Sequence, residues 1–189
     1  MNNSVKYNQI TKKHIDFFSS LIGSKNILSG SDCQEFGSDH TENLNFPPEL
    51  VLFPSSTIDV AAIMSYCNKN LIPVTPSASL TGLSGGAIPV YHGVSLSMKK
   101  MNKIISIDNK NFQAVVEPGV INEVFQNKLK EINLFYPPDP ASKGSCSLGG
   151  NFALNAGGPK AIKYGVTSNY ILNLEIVLPS GDVFWTGAN

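Results

Sequence analysis

Charge is scarce in this sequence and balanced in sign. Only 15% of its 189 residues are Asp, Glu, Lys or Arg, and fourteen bases face fourteen acids. Holding a run of phosphates by counter-charge needs a basic excess, so composition argues against nucleic acid as a partner. The one lysine cluster, Lys99, Lys100 and Lys103, reads as a solvated edge. Cysteine is sparse too. Cys33, Cys67 and Cys146 are odd in number, far apart and outside any C-x-x-C pattern. That excludes a paired disulfide frame or a zinc site and points to a reducing compartment. No apolar run approaches the roughly 20 residues that a membrane span needs. The stretch from Met1 to Ile10 is polar and lacks the apolar segment of a secretory signal. A cytoplasmic protein is expected.

What the sequence does contain is an ordinary globular core, with 42% apolar residues in one domain or two small lobes. Ile15, Phe18, Leu21 and Ile22 share one face of a predicted helix over 11–22, and Gly23 is placed to end it. Ser31-Asp32-Cys33-Gln34 has capping-box spacing for a second, short helix. A buried strand over 50–53 stops at Pro54. Ser56 then caps a helix over 57–70, with Val60, Ile63, Met64 and Cys67 on one face. A strand over 72–75 follows.

Beyond residue 90 the pattern alternates with period two. It predicts a strand over 93–97 and a hairpin of 104–107 and 112–116 across Asp108-Asn109-Lys110-Asn111. A helix over 120–133 turns Val124, Leu129 and Ile132 inward. Residues 135–148 read as loop, and 151–155 as one or two helical turns. A last hairpin joins 170–178 to 183–185 over Pro179-Ser180-Gly181-Asp182. The order predicts an α+β fold in which the strands after the first half are mostly antiparallel. Thr186-Gly187-Ala188-Asn189 leaves that hairpin with no closing element, so the domain reads as incomplete at its C-terminus.

Two glycine-rich, nearly uncharged stretches stand out. The first is Thr81-Gly82-Leu83-Ser84-Gly85-Gly86-Ala87. The second is Gly144-Ser145-Cys146-Ser147-Leu148-Gly149-Gly150-Asn151, followed by Asn155-Ala156-Gly157-Gly158. Glycine admits a ligand close to the backbone, and clustered main-chain N–H groups hold anionic oxygens without lysine or arginine. Each stretch alone also fits a plain turn or tight corner. Together they suggest a ligand with a diphosphate at one end and a flat polar ring at the other. No G-x-G-x-x-G follows a strand and no Walker A lysine–serine pair is present, which disfavours the two commonest nucleotide folds.

Several further segments occur in a telling order. They are Pro47-Pro48-Glu49-Leu50-Val51, Val116-Glu117-Pro118-Gly119-Val120, Phe135-Tyr136-Pro137-Pro138-Asp139-Pro140 and Leu174-Glu175-Ile176-Val177-Leu178-Pro179-Ser180-Gly181. With both glycine stretches and the run to Gly165, they resemble the PCMH-type FAD-binding domain of the vanillyl-alcohol oxidase type of FAD-linked oxidases. The likeness is to the glycolate oxidase and D-lactate dehydrogenase branch. The resemblance implies two α/β lobes with FAD between them. Residues 1–46 would be a helical lead-in, and 47–189 the flavin domain, incomplete at its C-terminus and without a substrate-cap domain.

Carried over position by position, Pro76, Ser77, Ala78, Ser79, Leu80, Thr81, Gly82, Leu83 and Ser84 would cradle the diphosphate. Pro138, Asp139, Gly144, Ser145, Leu148, Gly149, Gly150, Asn151, Asn155, Gly158 and Gly165 would line the flavin. Where the family commonly has P-R-G, this chain has Pro76-Ser77-Ala78. Losing that glycine costs about 1 kcal/mol if φ at Ala78 is positive, and Leu80 places bulk beside the expected diphosphate. The histidines His14, His40 and His92 all lie outside the first loop, so FAD is expected to be non-covalent. Cys146 reads as a small buried residue and not as a flavin-linked thiol. Asp39 and Glu42 read as surface or capping acids, and Glu117 as a loop-orienting residue.

No nucleophile–base pair or metal constellation stands out, so no catalytic residue is assigned. In intact relatives a base takes the hydroxyl proton of a 2-hydroxy acid while hydride passes to the flavin. The resemblance therefore implies an FAD-dependent oxidoreductase domain, inactive by itself on glycolate or D-lactate until a cap domain, a completing chain or a second copy supplies the rest. The alternative is a non-catalytic FAD-binding remnant, or one subunit of a split enzyme.

Overall fold

The structure is a computed structural model that describes residues 6–187; residues 1–5 and 188–189, including the end of the final polar tetrapeptide, lie outside it. Helix α1 spans Lys12–Ile22, and Gly23, at φ 81°, ends it. Phe18 is fully buried, while Ile15, Leu21 and Ile22 pack around the same core. Strand β1, Ile27–Ser29, follows; it is too short to show alternation in the sequence. The short helix expected after Ser31 is a 3-10 helix over Gly30–Gly37. Its Ser31 hydroxyl bonds Asp32 and caps nothing.

Strand β2, Leu50–Leu52, leads to helix α2, Thr57–Lys69. Ser56 caps α2 by accepting from the Asp59 N–H at 3.2 Å. Strand β3, Val74–Ser77, and strand β4, Val94–Ser97, complete a four-stranded sheet in the order β1-β2-β4-β3. Strand β1 is antiparallel to β2, whereas β4 runs parallel to both β2 and β3. The strand after the first glycine loop is thus the buried centre of a parallel sheet, not the first of an antiparallel set. Burial on both faces explains why all four of its residues are inaccessible although two are serines.

Under this sheet lies the larger core, which includes Phe18, Leu52, Ile63, Cys67, Val94 and Leu96. Burial pushes the Cys67 thiol up to about 12, so it serves as a neutral, compact apolar group. All three cysteines are free and buried.

The rest of the chain builds a second core. Strands β5, Ile104–Asp108, and β6, Gln113–Val116, form the expected antiparallel hairpin. Phe112 belongs to its turn, at φ 55° and largely exposed, instead of to the strand. Helix α3 spans Asn122–Lys130, shorter than its apolar pattern suggests. It buries Phe125 and Leu129, while Val124 points to solvent. Helix α4, Leu148–Leu154, starts three residues earlier than predicted because Ser147 caps it through the Gly150 N–H.

A one-turn helix α5, Ala161–Tyr164, was not legible, and 167–170 is a 3-10 turn, which shortens the last hairpin to β7, Glu175–Val177, and β8, Val183–Trp185. Val120, Phe125, Leu129, Tyr136 and Leu148 make up the second core. Val177 returns to pack against the first.

One buried contact in the parallel sheet is purely polar: the Ser77 and Ser95 hydroxyls lie 3.0 Å apart. Ser95→Ala should strand the buried Ser77 hydroxyl and cost about 1–3 kcal/mol in urea unfolding. The double variant S77A/S95A should recover much of that loss. Additive losses in a double-mutant cycle would show that the two hydroxyls do not satisfy each other.

Candidate functional site

The segment leading into the first glycine-rich loop meets the second stretch. Ala78 and Ser79, just past the C-terminal end of β3, share a crevice of about 380 Å3 with Ser145 and Ser147. Lys99 and Asn102, in the turn after β4, line the same crevice, as do Gly119 and Ile121 between β6 and α3. Lys99 is exposed, as expected of the lysine cluster, and it also borders this crevice. Asn102, Gly119, Ile121 and Ser147 were not singled out as ligand contacts. Gly119 and Ser147 did lie within quoted motifs, the one signal that could have found them.

Within the first stretch the residues divide by direction. Pro76 is exposed on β3, and Ser77 turns into the sheet toward Ser95. The left-handed residue is Leu80, at φ 57°, and Ala78 is not, so the backbone penalty expected at Ala78 does not arise. Leu80 packs against the cluster of Cys33, Phe36 and Val51, which takes its bulk into protein. Thr81 and Gly82 are half-buried, while Leu83 and Ser84 face solvent.

A clamp from 39–41 holds this loop. The His40 N–H donates to the Gly82 carbonyl at 3.0 Å, and the Gly85 N–H donates to Thr41 Oγ1 at 2.8 Å. Asp39 Oδ1 accepts from the Thr41 N–H at 2.7 Å, a local turn bond and not a helix cap, since no helix begins here. Its Oδ2 is buried without a hydrogen-bond partner. Glu42 is exposed, and Glu117 orients a loop by accepting from the Lys103 N–H at 2.7 Å.

The second stretch is fixed from α3. The Ile121–Ser147 bridge is flanked by Asn122 N–H to Cys146 O, 3.0 Å, and Leu148 N–H to Val120 O, 2.8 Å. Asn122, fully buried, donates to Pro138 O at 3.2 Å and accepts from Asn151 Nδ2 at 3.1 Å. Gln126 donates to the carbonyls of Tyr136 and Pro138. Asn122 and Gln126 therefore position the Pro-rich segment. Sequence reading missed both, because a polar residue on an amphipathic helix looks solvent-facing.

The side chains of Leu148 and Asn151 are packed inside the fold, as is Pro138, and their main chain is bonded within the protein: the Leu148 N–H to Val120 O, the Asn151 N–H to Ser147 O, and Pro138 O to the Asn122 and Gln126 amides. Gly149 donates to Pro118 O at 2.8 Å, and a Cβ there would fall 2.6 Å from Pro118 Cβ. A Cβ on Gly158 would lie 2.0 Å from Asp139 O, so these two segments approach as closely as they do only with glycine present. Gly144 and Ser145 are exposed; the Ser145 hydroxyl donates to Ser142 O at 3.2 Å. Asn155 ends α4 in the left-handed region and accepts from the Ser168 N–H, and Gly165 ends α5 at φ 83°. Cys146 is buried and compact, as expected.

Asp139 is the charged residue of the Pro-rich segment. Its Oδ1 lies 3.1 Å from Lys143 Nζ and its Oδ2 3.1 Å from Lys160 Nζ, with the carboxylate side chain only 13% exposed. Lys143 first, then Lys160, holds the carboxyl below its ordinary value of 3.8, against the opposing effect of partial burial. Burial pushes the neighbouring Tyr136 phenol up to about 12, so it stays neutral. Among the described residues no group of His, Cys, Asp and Glu side chains could hold a metal ion.

Two outcomes follow from this geometry. Thr41→Val should leave the Gly85 N–H without its acceptor, costing about 1 kcal/mol and speeding hydrogen exchange at Gly85, while Thr41→Ser should restore both. Unchanged exchange in the valine variant would remove the clamp. A carboxyl with a depressed folded value adds stability that is fully present above its unfolded value and lost as pH falls through the folded one. The stability gap between wild type and Asp139→Asn should therefore be open at pH 7 and close below about pH 4. A gap that stays constant to pH 2 would mean that the lysines do not hold the carboxylate.

Residues 48–187 match the FAD binding domain family. The chain is 41% identical over 187 residues to a D-lactate dehydrogenase of Anaerostipes hadrus, aligning with 97% of this chain and 38% of that protein. It is 39% identical over 152 residues to glycolate oxidase subunit GlcD of Bacillus subtilis, covering 80% of this chain and 32% of the relative. The chain thus spans about a third of the length of these relatives. A substrate-bound structure of p-cresol methylhydroxylase superposes with a TM-score of 0.79 at 29% identity, covering 97% of this chain and 37% of that one. An alkyldihydroxyacetonephosphate synthase shares the fold, with a TM-score of 0.85 at 18% identity over all of this chain and 40% of the other. With an α+β architecture and a match over most of its length, the chain belongs to the PCMH-type FAD binding domain family of flavin oxidoreductases.

Proposed function

We propose that this chain binds FAD non-covalently in the crevice between its two cores, as the flavin-binding part of a 2-hydroxy-acid oxidoreductase acting on glycolate or D-lactate. The observation that supports it most is the shared crevice, in which Ala78 and Ser79, leading into the first glycine-rich loop, line the same space as Ser145 and Ser147 from the second stretch. The donor set suits the ligand. Hydroxyls, main-chain amides and one ammonium can hold a diphosphate and hydrogen-bond the polar edge of a ring.

In this reading the loop after β3 lies along the diphosphate, and the segment from Gly144 to Gly158 lies along the ring. Thr41 and Asp39 hold the first of these in place, and Asn122, Gln126 and Asn151 the second. Residues 47–189 form the flavin domain, and 1–46 are a lead-in whose β1 extends the sheet. Bound FAD supplies a two-electron acceptor able to take hydride from the carbon that carries the substrate hydroxyl.

Among the described residues Lys99 is the one titratable side chain lining the crevice, so the group that takes the hydroxyl proton is assigned to polypeptide beyond the match, in the same chain or a second subunit. That favours a second reading, an FAD-binding subunit without catalysis of its own. The cytoplasm is the proposed compartment; among the described residues no helix is long and apolar enough to cross a membrane.

Titrating the purified chain with FAD tests the proposal. Quenching of flavin fluorescence and a rise in melting temperature are expected, equivalent to about 2.7 kcal/mol at a hundredfold excess over Kd. D-lactate or glycolate should bleach the bound flavin only when the completing polypeptide is present. No quenching and no thermal shift would rule out FAD binding by this chain.

A further inference from the structure

We infer that Lys99 is a binding residue for the diphosphate, and that it makes this crevice select a dinucleotide over a flavin without phosphate. The inference rests on the FAD reading and deepens it. The residues that line the crevice are small or neutral apart from Lys99, whose side chain brings the one formal charge among them. Among the described residues Lys99 has no carboxylate partner, unlike Lys128, Lys143 and Lys160, each of which is paired with an acid.

Its position is set by packing. The ammonium lies 5.1 Å from the centroid of the Phe36 ring, and Phe36 is itself held edge-to-face against Phe53. Lys100, the next residue, is committed elsewhere: it lies 5.6 Å over the Phe53 ring and donates to Asn26. The two lysines therefore diverge, and Lys99 alone is left beside Ala78 and Ser79.

An exposed ammonium bordering a neutral crevice attracts whatever anion enters. An ammonium acts on phosphate as a point charge, so it needs proximity more than a fixed geometry. Main-chain amides can orient the diphosphate, but they are neutral and give a salt-insensitive contribution. The charge at Lys99 adds attraction that salt weakens, and it acts only on ligands that carry phosphate. Ser79 stands on the same crevice wall as a hydroxyl donor for the same oxygens.

The test compares FAD with riboflavin, which has the same ring and no phosphate, on wild type, Lys99→Met and Lys99→Arg. Fluorescence quenching at low and high salt gives Kd, and thermal melting without ligand monitors the fold. Lys99→Met should raise the Kd for FAD about tenfold, flatten its salt dependence and leave riboflavin binding and the ligand-free melt unchanged. Lys99→Arg should stay close to wild type. Equal losses for FAD and riboflavin, or no loss for either, would overturn the role of Lys99 while leaving FAD binding intact. A wild-type chain that binds neither flavin would overturn the FAD reading itself, and this inference with it.

Discussion

Main chain resting directly on main chain is the constraint on which the rest of this structure depends. At the Gly149–Pro118 and Gly158–Asp139 approaches there is no room for a Cβ between the two backbones. These contacts pull the second glycine-rich stretch onto the segment that leaves β6, and so against the end of the parallel sheet. Asn122 reinforces the same junction with a fully buried amide that bonds both the Pro-rich segment and α4. Such a network is stable only when complete, because each unmade bond would leave a buried polar group without a partner.

The parallel arrangement of β2, β4 and β3 decides where that site lies. Ala78 follows the C-terminal end of β3, and Lys99 follows the C-terminal end of β4. Crevices outside the carboxyl ends of parallel strands are where open α/β sheets take their ligands, since loops from neighbouring strands diverge there. The second core contributes the opposite wall through the start of α3 and the cap of α4. Each wall is thus anchored in its own hydrophobic cluster, and the glycine-rich loops need no core of their own.

Much of this was legible in the sequence, for reasons that differ by element. Helix α2 was readable because Ser56 caps it and Val60, Ile63 and Cys67 recur at helical spacing. The resemblance carried by Gly144 to Gly165 and by the Pro-Pro-Asp-Pro run led to the family that the match over 48–187 establishes. What stayed hidden was set by tertiary contact. Strand β1 is three residues long and exists because β2 offers it a partner. Helix α4 forms across two glycines because its Ser147 cap and the Asn151–Asn122 bond outweigh their poor helix propensity. Strand β4 looked like the start of an antiparallel set because its serines alternate with apolar residues, although both faces are covered. Lys99 looked like its lysine neighbours, and only its place on the crevice wall distinguishes it.

The junction at Pro118 and Gly119 also has a mechanical meaning. Gly119 donates to Met101 O at 2.7 Å on one side, and Gly149 donates to Pro118 O on the other, so one short segment is stitched to both halves. A substitution at this segment is therefore felt on both sides at once, because Met101 belongs to the first core and Gly149 to the helix that buries Leu148 in the second.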